Sequence, residues 1–422
     1  MAHTRQLVPL EVIYHIMDYL EDDLSALRSC AITNKALLSC ARANMYRNIR
    51  LVGHAYRQSQ LLSRTLRAEP TLGSLVRSLR ISGLIAPHTS TGSELYLTPD
   101  VLPFHLLHEL RELTLHWMQL RRVDDLVAIV ATLPALERLA CDTLVDDSSA
   151  ELPLEHAATR AAENILQRPR PDPALFPRLK ELLIKHGPWN HSAFAKTLLL
   201  SHRVAIESLQ LIDISFGGTA EALAWVPVIG VAGPRLQSLS ISMTDRSSRH
   251  AEQALPLDTL EQYDSDHAYV LDTVANCPSL RFLRLKYLPD AFAALDAPPS
   301  PAFLETLCEV FERRPPPFPA FEHLDLWMVD RGGRAVSSIT PLITRLSHSL
   351  LDRRHYMHFC RLSVRIQPQS WIPHLRMWST RYRQGQGAKQ DMLERWRATF
   401  APFEEAAGVV LHVDFRQSSR PA

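Results

Sequence analysis

A phrase of the form L-x-x-L-x-L recurs along this chain and restricts its fold more than any other feature. It reads Val76-x-x-Leu79-x-Ile81, Leu110-x-x-Leu113-x-Leu115, Leu136-x-x-Leu139-x-Cys141 and Leu179-x-x-Leu182-x-Ile184. It continues as Ile206-x-x-Leu209-x-Leu211, Leu236-x-x-Leu239-x-Ile241, Leu280-x-x-Leu283-x-Leu285 and Phe321-x-x-Leu324-x-Leu326, with a weaker copy at Leu362, Val364 and Ile366. Each phrase has the period of a short, half-buried strand behind an apolar anchor. Helical patterns fill the intervals, near 54–68, 123–132, 155–167, 191–203, 218–226, 266–276, 301–313, 337–350 and 389–404. The equivalent leucines stand 34, 26, 43, 27, 30, 44 and 41 residues apart from Leu79 to Leu324, so the repeat is irregular. A chain of this kind is a stack of strand–helix units, and stacks present surfaces rather than catalytic pockets.

Composition agrees with a soluble, reduced, binding protein. Apolar residues make up 46% and charged residues 22% of the 422 positions, an ordinary globular balance. The formal net charge of +1 gives no whole-chain argument for nucleic acid or an anionic membrane. The cysteines Cys30, Cys40, Cys141, Cys277, Cys308 and Cys360 form no C-x-x-C pair, which argues against a disulfide scaffold or a zinc ribbon. Met1 to Leu7 holds no apolar stretch of signal-peptide length. The most apolar window, Ala222 to Ala232, is interrupted by Pro227 and falls short of the ~20 residues that span a bilayer. The expected address is cytoplasmic or nuclear. Prolines at 169–173, 298–301 and 315–319 mark loops, and Gly217-Gly218 and Gly332-Gly333 mark turns.

Residues 5–50 carry closely spaced apolar helices. Pro9 opens the first, where its missing N–H is not needed, and Val12, Ile13, Ile16, Met17, Tyr19 and Leu20 follow at helical spacing. Glu21-Asp22-Asp23 breaks the pattern and caps a second helix with Leu24, Leu27, Cys30 and Ala31. A third segment holds Leu37, Leu38, Ala41, Met45, Tyr46 and Ile49. The opening Leu7-Val8-Pro9-Leu10-Glu11-Val12-Ile13, the middle Ile16, Tyr19-Leu20, Asp23-Leu24-x-x-Leu27 and the close Met45-Tyr46-Arg47-Asn48-Ile49 resemble an F-box, as seen in fungal F-box proteins. Thr33-Asn34-Lys35-Ala36 stands where that family usually has a Cys-Arg-x-Trp-like step.

The resemblance implies an F-box-like helical module at residues 1–52, followed at 53–422 by an irregular leucine-rich-repeat-type α/β solenoid, parallel strands alternating with helices. It implies the substrate-recognition subunit of a cullin–RING ubiquitin ligase, with a Skp-type adaptor as partner. A bundle this small and this apolar has more greasy surface than it can bury internally. The contacts expected from helical spacing are Val8, Pro9, Val12, Ile13, Ile16, Leu20, Leu24 and Leu27, some of which must instead form the bundle's own core. The alternative is a leucine-rich scaffold or sensor whose first helices only cap the array.

Within each phrase the residues between the leucines are expected to point to the opposite, solvent-facing side of the sheet. The middle rungs are small and bland, whereas the late ones carry Phe282, Arg284, Lys286; His323, Asp325, Trp327; and Ser363, Arg365, Gln367. Residues 353–397 hold ten Lys or Arg against Asp391 and Glu394, a local balance of +8 in a chain otherwise acidic. Tyr356, Phe359, Trp371, Trp378, Tyr382 and Trp396 are interleaved there, as core closers or as contacts. Arg284, Lys286, Trp327 and Arg365 are the candidate contacts for a protein substrate, acidic or phosphorylated, since guanidinium groups pair bidentately with carboxylate and phosphate.

No motif calls for a cofactor. His108-Glu109-Leu110-Arg111-Glu112 lacks the second histidine of a zinc-protease helix, and His355 and His358, beside Asp352 and Cys360, have zinc-like spacing by proximity alone. No nucleophile elbow, phosphate loop or dinucleotide fingerprint occurs, so no catalytic or metal site is expected.

Overall fold

The computed structural model describes residues 9–33, 35–52, 55–83, 97, 101–120, 123–146, 178–185, 206–215, 219–244, 270–288, 302–330, 334–368, 386–406 and 408–415. Val8, the helix candidates near 155–167 and 191–203, the proline runs at 169–173 and 298–301, both glycine pairs, Gln367's side chain, Trp371, Trp378 and Tyr382 lie outside what is described. Contacts divide the chain into two units, Met1–Ala150 with Pro173–Leu179, and Glu151–Asp172 with Lys180–Ala422.

The first unit begins with three helices, α1 (Leu10–Tyr19), α2 (Leu24–Thr33) and α3 (Lys35–Arg47). Pro9 is the residue just before α1, and its carbonyl accepts from the Val12 and Ile13 amides. Asp23 caps α2 with its carboxylate on the Ala26 amide at 2.9 Å. Parallel strands follow in chain order: β1 (Asn48–Leu51), β2 (Ser78–Ser82), β3 (Glu112–Leu120) and β4 (Arg138–Asp146). Between them lie α4 (Ala55–Ala68) and α5 (Val123–Ala131). In α4, Ser59, Leu62 and Leu66 form the buried stripe, one residue per turn.

The second unit carries β5 (Glu181–Lys185), β6 (Ser208–Ser215), β7 (Ser238–Thr244), β8 (Phe282–Leu288), β9 (His323–Asp330), β10 (Arg361–Pro368) and β11 (Val410–Phe415), again parallel and in chain order. Its helices are α6 (Thr219–Ala232), α7 (Ala302–Glu312), α8 (Arg334–Leu350) and α9 (Gln386–Glu404). Both units therefore have the mixed α/β architecture expected of an irregular solenoid. The helix expected at 218–226 runs on through Pro227. Burial of Trp225, Val228, Ile229 and Ala232 on one stripe outweighs the roughly 3 kcal/mol that an internal proline costs. Pro227 itself is on the exposed side, where water can reach the carbonyl it leaves unbonded.

All nine phrases are strands with buried leucines, and the structure adds a copy at each end. Tyr46-x-x-Ile49-x-Leu51 precedes the first, and Gly408-x-x-Leu411-x-Val413, in register with Leu362 and Val364, follows the last. Two backbone devices define the repeat. The residue after an anchor accepts amides from the next rung, in most cases two: the Arg77 carbonyl takes the Arg111 and Glu112 N–H, and the Arg281 carbonyl those of Glu322 and His323. The residue three before each anchor accepts the anchor's amide, as in Gly73 to Val76, Leu133 to Leu136, Cys277 to Leu280 and Tyr356 to Phe359. Buried backbone groups are thereby satisfied without side chains, which is why sequence at the turns can vary.

Two of these turn positions are glycine for a steric reason. A Cβ at Gly73 would stand 2.2 Å from the Leu106 carbonyl oxygen, and one at Gly233 would stand 2.9 Å from that of Asn276. At the last two anchors of the nine phrases, Phe321 and Phe359, the corresponding positions are aromatic instead, Phe318 and Tyr356. Phe311, Phe318, Phe321, Tyr356 and Phe359 pack edge-to-face or stacked, and the Tyr356 hydroxyl donates to the Phe311 carbonyl at 3.0 Å. Burial pushes the Tyr356 phenol above its ordinary range. Tyr356, Phe359 and Trp396, for which the sequence leaves both roles open, are core.

Candidate adaptor face and cationic grid

The three front helices close around Met17, Leu27 and Ala41, with Ile13, Leu20, Cys30, Ala31, Cys40 and Met45 packed on that centre. On α1 the inward stripe is Ile13, Met17 and Leu20; the outward stripe, one position earlier throughout, is Val12, Ile16 and Tyr19. Of the eight residues expected to meet an adaptor, Pro9, Val12, Ile16 and Leu24 are exposed. Leu27 is fully buried, so it belongs to the bundle's core and not to a contact surface; the partly buried Ile13 and Leu20 also serve that core. Heptad-like spacing alone does not separate two apolar stripes on one helix. The structure adds Tyr19 and Ile32, 90% and 88% exposed, the two most exposed large apolar side chains among the described residues. Tyr19 is visible as part of the helical pattern; Ile32 stands one position off the inward stripe of α2.

A groove of about 580 Å³ lies beside this bundle, lined by Tyr14, Asp18, Cys40, Asn44, Arg47 and Arg77 among others. Arg77 there is held by Glu109 at 2.6 Å. Burial, and to a smaller extent Asp18, raise the pKa of the Cys40 thiol. Nearby, β2, β3 and β4 bring Ser82, His116 and Asp142 onto one row, with His116 Nδ1 2.8 Å from Asp142 Oδ2. The Ser82 hydroxyl is buried and hydrogen-bonds to neither, so this row assembles no nucleophile–base relay. Next to it Trp117 has a left-handed backbone (φ 55°), which flips the strand's alternation so that Met118 and Leu120 follow Leu113 and Leu115 into the core.

In the second unit, β8, β9 and β10 bring all four expected substrate contacts together. Strand register sets Arg284 beside Asp325 beside Ser363, and Lys286 beside Trp327 beside Arg365. Lys286 Nζ lies 4.4 Å from the centre of the Trp327 ring, and the Arg365 guanidinium 5.9 Å from it, so the indole is flanked by cations from both neighbouring strands. One expectation is corrected. The residues between the leucines do not all face solvent, because long side chains roof short ones: Ser240 and Ser363 are buried and Asp325 is 1% exposed. Its Oδ2 accepts from Arg284 Nε at 2.7 Å and lies 3.3 Å from Arg365 Nη2. Arg284 and Arg365 are thus already paired with an internal carboxylate, whose place in the rung is evident from sequence but whose place in the site is not.

The next row is Phe282, His323 and Arg361. His323 packs edge-on to Phe282 at 4.8 Å and hydrogen-bonds through Nε2 with the Ser363 hydroxyl at 2.9 Å. Its pKa falls to about 4, chiefly through burial, with Arg361, Arg284 and Arg365 adding to the fall and Asp325 opposing it. At neutral pH the described residues of the grid thus supply four cations, one anion and a neutral imidazole.

Among the described residues no group of three His, Cys, Asp or Glu could hold a metal. His355 hydrogen-bonds to Asp352 at 2.7 Å, Glu109 pairs with Arg77 and Glu112 with Arg138, which accounts for the zinc-like spacings. No described helix is long and apolar enough to cross a membrane.

Residues 5–87 match the family model described as the COS11 F-box domain. The match takes in the three helices, β1, α4 and β2. No curated protein matches the chain. F-box domains generally bind Skp-type adaptors, and proteins that carry them are typically non-enzymatic. With its closed helical core, its second apolar stripe turned outward and this match, the segment at residues 5–87 is an F-box domain.

Proposed function

We propose that this protein is the substrate-recognition subunit of an SCF-type cullin–RING ubiquitin ligase. The front helices dock on a Skp-type adaptor, and the leucine-rich array holds a target protein. Its contribution to catalysis is proximity: a target lysine is kept beside a ubiquitin-conjugating enzyme carried by another subunit. The observation that carries the reading is the outward stripe Val12, Ile16, Tyr19, with Leu24 and Ile32. Each large apolar side chain contributes about 1.5–3 kcal/mol when fully buried, so a surface of this kind is favourable only once covered.

The target side of the reading is supported by charge. Lys286 and Arg365 flank Trp327, and Arg284 joins Arg365 at the neighbouring carboxylate of Asp325, which suits an acidic or phosphorylated segment. The first test is co-purification with a Skp-type adaptor, wild type against an Ile16→Asp, Leu24→Asp double variant. Ile13 and Leu20 are unsuitable, since they also serve the bundle's core. Binding by wild type and its loss in a variant of unchanged folding supports the ligase role. No binding by wild type leaves a leucine-rich scaffold or sensor without a ubiquitin function.

A further inference from the structure

Asp325 is the most buried member of the cationic grid and the only carboxylate among its described residues, at the position where an anionic target would be expected to meet guanidinium groups. Two roles are open to such a residue, and they predict opposite signs. It could compete, occupying donors that the target needs. It could instead hold those donors in place.

The geometry favours the second. Both arginines reach one oxygen, Oδ2, from opposite neighbouring strands, Arg284 from β8 by Nε and Arg365 from β10 by Nη2. Arg284 engages the carboxylate edge-on, through the nitrogen nearest its own backbone, and its guanidinium also lies 5.3 Å from the centre of the Phe282 ring. Arg365 is likewise held between Asp325 and the Trp327 ring. Without the carboxylate these like-charged groups would repel one another, and long side chains on adjacent strands would spread into water. The Oδ1 atom, buried and without a hydrogen-bond partner, shows that the carboxylate is not kept for its own solvation. A full negative charge with one oxygen unsatisfied persists in a buried place only where cations fix it, and it fixes them in return.

We infer that Asp325 is a positioning residue of an anion-binding site: it clamps Arg284 and Arg365 into one preorganised pair whose outer face takes a carboxylate or phosphate of the target. This rests on the reading of the grid as the target-binding surface. Charge still favours an anion after the clamp is counted, because two arginines share the one carboxylate and Arg361 stands on the same strand as Arg365. Preorganisation lowers the ordering cost of binding, and long, flexible arginines at a partly exposed site would otherwise bear that cost in full.

The test uses the full-length protein and two fluorescent probes of equal length, a glutamate-rich peptide and a phosphoserine peptide. Wild type should bind at least one of them, with an affinity that falls as salt rises. Asp325→Asn keeps the shape and removes the charge. If Asp325 positions the pair, this variant binds about tenfold more weakly although a negative charge has left an anion site. Asp325→Glu, with the charge retained, should recover part of the loss. In an Arg284→Ala, Arg365→Ala background, Asp325→Asn should cost nothing further, because there is no pair left to hold. Equal or tighter binding by Asp325→Asn at unchanged melting temperature overturns the inference while leaving the grid as an anion site. Loss of binding that persists undiminished in the double-arginine background overturns it as well, marking a merely structural residue. Wild type that binds neither probe removes the anion reading of the grid, and this inference with it.

Discussion

The outward face of the front helices and the grid on β8–β10 are built on opposite principles. The helical face is apolar and uncompleted: Tyr19 and Ile32 stand almost wholly in water and serve no contact of the bundle's core. The grid is polar and largely completed from within, its arginines on Asp325 and its lysine on Trp327. An unfinished apolar face gives affinity for one obligate partner through burial, whereas a preorganised charged face gives discrimination among many. An adaptor is constant and targets are many, so the division suits a subunit that faces both. Substitutions on the first face should alter binding without stability; those in the grid should alter both.

The largest effect should separate the two stripes of α1 and α2. Leu27→Asp places a charge in the closed centre beside Met17 and Ala41 and should destabilise the bundle by about 4 kcal/mol or more. Ile16→Asp, on the exposed side of α1, should change stability by about 0.5 kcal/mol or less. Amide hydrogen exchange of α1–α3 reads both. Equal loss of protection in the two variants would show that the outward stripe is structural and would dissolve the contrast.

The grid predicts an intermediate effect with a sign that depends on context. Arg284→Ala leaves Asp325 buried with only Arg365, and should lower the melting stability of the second unit by about 1–3 kcal/mol. The same substitution made with Asp325→Ala should cost less than the two changes summed, since no buried charge is then stranded. Thermal denaturation of the four proteins closes the cycle. Strict additivity would mean that the pair is an ordinary surface contact, and that the grid is as unfinished as the helical face.

How much of this is legible in the sequence depends on whether side chains or backbone carry the pattern. Leucines at period two announce nine strands because both the +3 and +5 positions of each phrase are buried. The end copies are hidden for different reasons. Tyr46-x-x-Ile49-x-Leu51 runs straight out of α3, where Tyr46 and Ile49 also fit a helical stripe, and Gly408-x-x-Leu411-x-Val413 has glycine where an apolar anchor stands elsewhere. The carbonyl ladder that defines both is backbone chemistry and leaves no residue signature. The four substrate candidates are legible because like positions of successive phrases must be neighbours. Asp325 reads as one more surface residue because burial by a neighbour's long side chain is a property of three strands together.

The smallest effect concerns His323 and completes the contrast, because a titratable group can be tuned only on a face that is already packed. In an unfolded chain its imidazole titrates near 6.5, whereas in the folded unit burial and the three surrounding arginines lower it to about 4. Between those values the unfolded state binds a proton that the folded state refuses. Stability is therefore fully present above about pH 6.5 and is lost as pH falls toward about 4. A shift of this size corresponds to roughly 3 kcal/mol at full weight, and to about 1–2 kcal/mol for a half-buried ring that solvent screens. His323→Gln keeps a hydrogen-bonding group for Ser363 and removes the titration, so its melting temperature should fall less than that of wild type between pH 7 and pH 4.5. The same substitution should leave adaptor binding unchanged at both pH values, since the helical face owes its contacts to groups that carry no charge. A variant that tracks wild type through the whole range would show that His323 reaches water freely, and that the grid is packed less tightly than its register implies.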